Sequence, residues 1–476
     1  NLSEFEGYGF RQTHTAFSIW ALVEGGPWLA YETPVLGAPW SIPLELPLYQ
    51  WLVALTVTSS EVSIEHAGRA ISILCFWVSL LPLGFVLSRL MRSRICAVMT
   101  LTLLITSPAY MFWSRVVMIE SLALLLSATF LATVLSYLER RSRRMALIAI
   151  GCGILAGTVK ITTFFGFSLA AALLVVRHVH KEEGWHPSRA MLRRLLVPAV
   201  GFGVAPVLAV GLWTAFADHQ KSLNPFAEFL TSTALVPHNF GTWADKLDLS
   251  RVSTLLDNEI GYTLGGTALF WILLGTAIIY RRLSGFALLA VILFASVPLT
   301  FFNLHNVHQY YVYANGVFLI AGAGFVLGSL WTNGPRARWL SIALLLSGCA
   351  LNLSAYRADL HKVQLENRNT GYAELGAQIA EATTPDDVLF ISGLDWSSEI
   401  PFYARRRSLM DRDDRALDDP QLLDALSKLE GNRIGAMVIY RNEQDSYVTS
   451  RAKLFGLSSS PAFNSMGIQV YLPKNR

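Results

Sequence analysis

Charge is scarce in this chain. Its 476 residues include 38 Lys and Arg and 34 Asp and Glu, 15% in all, where a soluble domain averages about 25%. So few charges cannot cover a water-facing surface of this size, which excludes an ordinary soluble enzyme and a disordered protein. Cysteine is sparse too: Cys75, Cys96, Cys152 and Cys349 all fall in apolar runs. They read as small core hydrophobes, so a secreted disulfide scaffold is also excluded. No internal repeat or low-complexity tract is present. No basic cluster with interleaved aromatics is present either, which disfavours nucleic acid as a partner. The chain opens at Asn1 in a polar, aromatic segment with no initiator Met and no basic–apolar leader. We expect a preceding piece that carries an earlier membrane span.

What the chain has in abundance is apolar length: 53% of its residues are hydrophobic and 12% aromatic. Ten runs are candidates to cross ~30 Å of hydrocarbon. They lie near 66–90, 96–112, 117–138, 145–160, 161–178, 195–216, 262–281, 284–302, 311–332 and 337–356. The fold class is therefore a polytopic α-helical membrane protein with ten spans in this chain, eleven with the expected N-terminal one. The connections at 89–94, 140–144, 177–194, 281–282 and 336–338 hold 16 Lys and Arg. Those on the other side hold six, Arg11, Arg115, Lys160, Lys221, Lys246 and Arg251, over much longer loops. Cytoplasmic loops carry the excess of basic residues, so residues 1–65, 113–119, 217–261, 302–310 and the C-terminal tail are expected outside. Residues 145–178 could form one long helix, but both flanks are basic. Two spans with a corner at Thr158–Thr163 keep both flanks inside and put Lys160 at the outer end.

Three domains are expected. Residues 1–65 form an extracytoplasmic loop in which Phe17, Trp20, Ala21 and Trp28 recur beside Arg11, Gln12 and Glu24, the pattern of interfacial amphipathic helices. Residues 66–356 form the membrane domain, and 357–476 an extracytoplasmic α/β domain. In that tail, helices are expected at Thr370–Thr383, Pro420–Leu429 and Tyr447–Phe455. Strands are expected at Asp387–Ser392, Ala436–Tyr440 and Gly467–Leu472. Arg405–Arg407 read as a solvated face.

Titratable groups at membrane depth are costly and usually functional. Here they gather at outer helix ends: Glu4, Glu6, Arg11, Gln12, His14 and Glu45, then Arg115 and Glu120, then Lys160, then His305 and His308 with Tyr310 and Tyr311. The set mixes acids that can take a proton from a hydroxyl with cations that can hold a phosphate. Each has a plainer reading. Glu120 opens a helix whose dipole favours an acid, Arg115 can snorkel to headgroups, and the tyrosines suit an interfacial aromatic belt. His305 and His308 have helix-compatible metal spacing, but two ligands without a third are weak evidence, and no metal site is assigned.

Several stretches resemble a known family. They are Arg11-Gln-Thr-His-Thr-Ala16, Gly25-Gly-Pro-Trp28, Pro43-Leu-Glu-Leu-Pro-Leu-Tyr-Gln-Trp51, Ser114-Arg-Val-Val-Met-Ile-Glu-Ser121 and His308-Gln-Tyr-Tyr311. Together they are similar to the GT-C membrane glycosyltransferases, in the branch of the protein O-mannosyltransferases and the lipid A aminoarabinose transferase. Gly393-Leu-Asp-Trp-Ser-Ser-Glu-Ile-Pro-Phe-Tyr-Ala-Arg405 is similar to tail domains of bacterial members.

The resemblance implies transfer of one sugar from a polyprenyl-phosphate carrier to a hydroxyl of a glycan, lipid or protein, outside the cytoplasmic membrane. Its partners would be the lipid-linked sugar donor, the acceptor and the bilayer. No cofactor is assigned, and a divalent metal is left open. The family pattern places a catalytic acid in the first outer loop, often as Asp-Glu. Arg11-Gln12 stands there instead, with Glu6 just before and His14 just after. The second family acid matches Glu120, so Glu120, Glu6 and His14 are the catalytic candidates. Lys160 or Arg115 would grip the carrier phosphate, with Arg11, Gln12, His308, Tyr310 and Tyr311 binding substrate. A single displacement with inversion is expected.

The main alternative is a transporter or flippase for a lipid-linked or polar substrate. Transporters tend to show paired halves and charges near the midplane. Here the charges sit at one end and no second half repeats the first. A non-catalytic assembly or sensor protein is the third reading.

Overall fold

The computed structural model describes residues 2, 9–183, 189–281, 285–361, 371–429, 431–440 and 445–474. From the N-terminus, helices α1 (Gly9–Val23) and α2 (Leu48–Ser59) flank an irregular stretch. Then come α3 (Ile64–Leu90), α4 (Arg94–Thr106), α5 (Pro108–Trp113), α6 (Glu120–Arg140), α7 (Arg143–Val159) and α8 (Ile161–Glu183). Helix α9 (Arg189–Pro198) runs through a π-helical turn at Ala199–Val204 into α10 (Ala205–Ser222). Short helices α11 (Val236–Phe240) and α12 (Trp243–Leu247) precede α13 (Leu249–Leu264), α14 (Thr267–Ile279) and α15 (Gly285–Thr300). The membrane-type helices end with α16 (Phe302–Val307), α17 (Val312–Trp331) and α18 (Pro335–Ala355).

The described residues of all ten apolar runs are helical, with local breaks. The run 96–112 divides into α4 and α5 at Ser107–Pro108, because proline has no N–H to continue the ladder. Between α13 and α14, Gly265 takes a left-handed φ of +68° and the pair bends by 90°. A Cβ there would lie 2.8 Å from the Cα of Asn352, so only glycine fits. Among the described residues, six helices are long and apolar enough to cross a membrane, or seven if α13 and α14 count as one span. Helices α4 and α15 are shorter apolar helices.

The chain divides into two compact units. One comprises Ala70–Trp213 and Leu235–Lys362, and its elements among the described residues are all helices. Its centre is α17, buried along nearly its whole length and packed on α4 and α15. Gly324 and Gly328 of α17 face Thr100 and Cys96 of α4, with no room for a Cβ at either position. Small residues four apart let two membrane helices approach this closely. Helices α7 and α8 both pack against α6.

The other unit comprises Asn1–Arg69, Thr214–Ala234 and Val363–Arg476. Its tail contains α19 (Gly371–Ala382), α20 (Glu399–Ala404), α21 (Pro420–Ser427) and α22 (Asp445–Phe455). They accompany strands β1 (Val388–Ser392), β2 (Ser408–Asp411), β3 (Ile434–Tyr440), β4 (Phe463–Ser465) and β5 (Ile468–Tyr471). The sheet order is β2-β1-β3-β5-β4, parallel over the first three strands and antiparallel over the last. Strands β1 and β3 are continuous buried apolar runs, as parallel strands covered on both faces should be. The N-terminal stretch covers the free edge of β2: Ser408 N–H donates to Pro34 O, Gly37 N–H to Ser408 O and Met410 N–H to Val35 O. An uncovered edge would invite pairing with another chain. The Asn224 side-chain amide donates to the carbonyls of Leu36, Gly37 and Pro39, tying in the third segment.

Two expectations change here. Helix α1 is not a two-faced interfacial helix: its polar residues Gln12, Thr13, His14, Thr15 and Ser18 are buried along with Phe17 and Ile19. The Thr13 and Ser18 hydroxyls donate back to the carbonyls of Gly9 and His14, which makes that burial tolerable. Nor are Arg405–Arg407 a solvated face. Arg406 is buried and donates to the carbonyls of Ala380, Thr383, Ala404 and Arg405 and to the Thr383 hydroxyl. Arg407 lies over the Trp40 ring.

Candidate active site

In the helical unit, Glu120 opens α6, where the helix dipole favours a carboxylate, and it is only 2% exposed. Lys160 stands at the break between α7 and α8. Its extended backbone (φ −161°) ends α7, and α8 begins at the next residue. Two helices with a corner at this lysine are what the basic flanks demand. The Lys160 ammonium donates to Glu120 Oε2. It also lies 4.6 Å from the ring centroid of Tyr311 and 5.0 Å from that of Tyr310. The two rings sit 4.5 Å apart. Trp113 meets Tyr310 edge-on, and His308 stacks on it at 5.3 Å. A carboxylate and two π faces thus hold a nearly buried cation, the combination that offsets the loss of its hydration. The structure brings together Glu120, Lys160, His308, Tyr310 and Tyr311, with the acid and the cation as one ion pair. Arg115 donates to the Tyr356 hydroxyl and lies over that ring.

A second polar cluster in this unit went unread in the sequence. Glu259 of α13 is 2% exposed and accepts from His305 Nδ1 at 2.8 Å and from Asn315 Nδ2 at 3.1 Å. Asn315 donates also to Phe294 O. The His305 ring lies 5.5 Å from that of Tyr311, so this cluster backs the tyrosines beside Lys160. The signal was available: Leu255, Glu259, Ile260, Thr263 and Leu264 all fall on the buried face of α13. A glutamate on such a stripe must have partners. Glu259→Leu would strand two donors and is expected to cost about 3–5 kcal/mol of stability. Glu259→Gln, which keeps an acceptor, should cost clearly less, as read by thermal unfolding in detergent.

The histidine pair does not have helix spacing in the fold. Helix α16 stops at Val307, His308 is extended beyond it, and His305 is committed to Glu259. Among the described residues no three His, Cys, Asp or Glu side chains converge as a metal site. The tail also contains an Asp-x-Asp triplet, Asp411-Arg-Asp413. Asp411 is buried and held by Arg415 and Arg451, an internal ion-pair network.

The composite unit holds the remaining candidates. Arg11 donates to both oxygens of Glu45 at 3.0 and 3.1 Å, and Gln50 Nε2 donates to Glu45 Oε1. Gln12 is fully buried one residue on. His14 Nδ1 and the Ser398 hydroxyl share a hydrogen bond of 2.7 Å. The imidazole is stacked on Phe10 and meets Trp396 edge-on at 4.1 Å. The stretch Gly393–Arg405 therefore reaches this histidine through Trp396 and Ser398, residues the sequence flagged only as a motif. Glu6 lies outside the described residues.

Burial, and then the charge of Arg11, push the His14 imidazole well below its ordinary value. His14 is therefore neutral when folded but protonates near 6.5 when unfolded. The unfolded chain binds more protons below that pH, so stability is full above it and falls as pH drops. Melting temperature should decline from pH 7.5 to pH 5, and His14→Phe should flatten that decline.

No family model matches the chain and no curated protein matches it. Its fold, however, is similar along almost the whole length to two crystal structures of ArnT from Cupriavidus metallidurans. One is bound to undecaprenyl phosphate (TM-score 0.65) and one is in the apo state (TM-score 0.63). Each is 16% identical, with 97% of this chain and 93% of that chain covered. The chain therefore has the fold of ArnT, polytopic and mostly helical with a small sheet-containing C-terminal region.

Proposed function

We propose that this protein is a membrane glycosyltransferase that moves one sugar from a polyprenyl-phosphate carrier to an acceptor hydroxyl. The observation that carries the reading is the Glu120–Lys160 pair beneath the Tyr310 and Tyr311 faces, set in the fold of ArnT. One of those ArnT structures binds undecaprenyl phosphate. A caged cation beside a carboxylate at a helix start suits a polyprenyl-phosphate headgroup and a sugar at the hydrocarbon boundary. The excess of Lys and Arg in the opposite loops supports an outer-side reaction at a cytoplasmic membrane.

In this reading the acceptor oxygen attacks the anomeric carbon as the bond from that carbon to the phosphate oxygen breaks. The electron pair leaves with polyprenyl phosphate, and Lys160 stabilises the charge as it develops. The incoming phosphate competes for Lys160, which releases the Glu120 carboxylate to take the acceptor proton. One displacement inverts the anomeric centre. Arg115, His308, Tyr310 and Tyr311 bind donor. Arg11, Gln12 and His14 serve substrate in the composite unit, with Glu6 or His14 as the reserve base.

The test uses purified, detergent-solubilised protein with a panel of polyprenyl-phosphate sugars, labelled in the sugar, and a membrane extract as acceptor. Polyprenyl phosphate released in step with label on the acceptor is the expected result. Tight donor binding with every carrier returned unchanged would overturn transfer and favour a lipid transporter.

A further inference from the structure

Helix α6 has 21 residues and so extends about 30 Å, with Glu120 at its start. A separate cavity lies at its far end, in the helical unit, where α3 and α8 also terminate and α15 begins. Its volume is about 610 Å³, within the ~300–1,000 Å³ range of sites that enclose a ligand. The walls are apolar, among them Leu87, Leu131, Leu135, Phe167, Leu293 and Phe318. The mouth is different in kind. Arg89, Arg92, Arg177 and Lys181 stand around it, with His178 and one carboxylate, Glu139. Among the described residues none of the four cations forms an ion pair.

We propose that this cavity is a binding site for an anionic glycerophospholipid, with an acyl chain inside and its phosphate among Arg89, Arg92, Arg177 and Lys181. Two features have to be satisfied together. Apolar walls are stabilised by hydrocarbon rather than water, which disfavours a soluble anion. Four cations around one opening outnumber the single carboxylate of Glu139, and an anion offsets the remaining positive charge, which disfavours a neutral or zwitterionic lipid. Basic pockets between membrane helices are recognised sites for anionic headgroups, and the mouth lies at helix ends, where headgroups sit. A carrier lipid shares this chemistry, but its sugar would be held about 30 Å from Lys160. Bound phospholipid would join α3, α6, α8, α15 and α17, which all line the cavity. The site is independent of the transfer reaction.

The test is native mass spectrometry of delipidated full-length protein titrated with dioleoylphosphatidylglycerol or dioleoylphosphatidylcholine. Phosphatidylglycerol should be retained about tenfold or more tightly, as expected for two or more cations on one phosphate. Arg177→Gln with Lys181→Gln should abolish that preference. Leu173→Trp, a half-exposed wall position filled with an indole, should lower retention of both lipids. Lys160→Gln should leave the preference intact. Three results would overturn the proposal: no retention of either lipid, a preference that survives Arg177→Gln with Lys181→Gln, or undecaprenyl phosphate displacing phosphatidylglycerol through the same two mouth residues. Size-exclusion profiles and melting curves matched to the parent show that each variant is folded.

Discussion

Lys160→Gln is expected to lower kcat by about 10²–10³ and to raise the donor KM. The leaving phosphate oxygen gains charge as the glycosidic bond breaks, and only an interaction stronger in that state speeds the step. Lys160 is already in place, fixed by Glu120 and by two ring faces 4.6 and 5.0 Å away, so no reorganisation is needed when the charge appears. Glutamine can still donate to Glu120 but carries no charge. Its substitution also leaves a buried carboxylate without a counter-ion, so some loss could come from folding alone. The double variant Lys160→Gln with Glu120→Gln separates the two effects. Removing both charges should return the melting temperature toward that of the parent, while turnover stays low. Lys160→Arg keeps the charge and should recover part of kcat. Turnover of the folded double variant at the parent rate would overturn a role for Lys160 in the reaction.

Much of this arrangement was legible in the sequence, for reasons that can be named. Lys160 stood out because a cation on the side where cations are rare needs a reason. The corner at 158–163 followed from basic flanks on both sides. Strands β1 and β3 announced themselves as unbroken apolar runs in a polar tail. Strand β2 did not, because its four residues follow three arginines and its edge is completed by Pro34–Gly37, almost four hundred residues earlier. No local pattern encodes a pairing of that range. Glu259 was missed for a related reason. Its helix was read as part of an outer loop, yet Gly265 bends that helix back into the unit. Arg406 was assigned to solvent because charged runs usually are. Its neighbours in the run do differ in exposure, but only the carbonyls ending α19 and α20 show why the middle one is inside. Patterns of composition find elements and ends of helices; partners across the fold require the fold.

Glu120→Gln is expected to reduce kcat by about 10²–10⁴ with little change in donor KM, because its amide can still accept from Lys160 and hold it beneath the tyrosines. The sharper measurement is rescue by the conservative variant. Glu120→Asp keeps a carboxylate and should recover part of the kcat that Glu120→Gln loses. A residue that merely positions Lys160 would give a different result: Gln would serve as well as Asp, since either side chain can accept from the ammonium. That outcome would move the proton to Glu6 or His14. His14 is separable in turn, because its imidazole is held neutral by burial and its Nδ1 is shared with Ser398. If it is the base, His14→Phe should abolish turnover and Ser398→Ala should weaken it by loosening the ring. If Glu120 is the base, His14→Phe should keep measurable turnover at pH 7.5, and its chief effect should be the flatter dependence of melting temperature on pH. The two acids and the imidazole therefore predict different pairs of variant turnovers, and no two assignments share both.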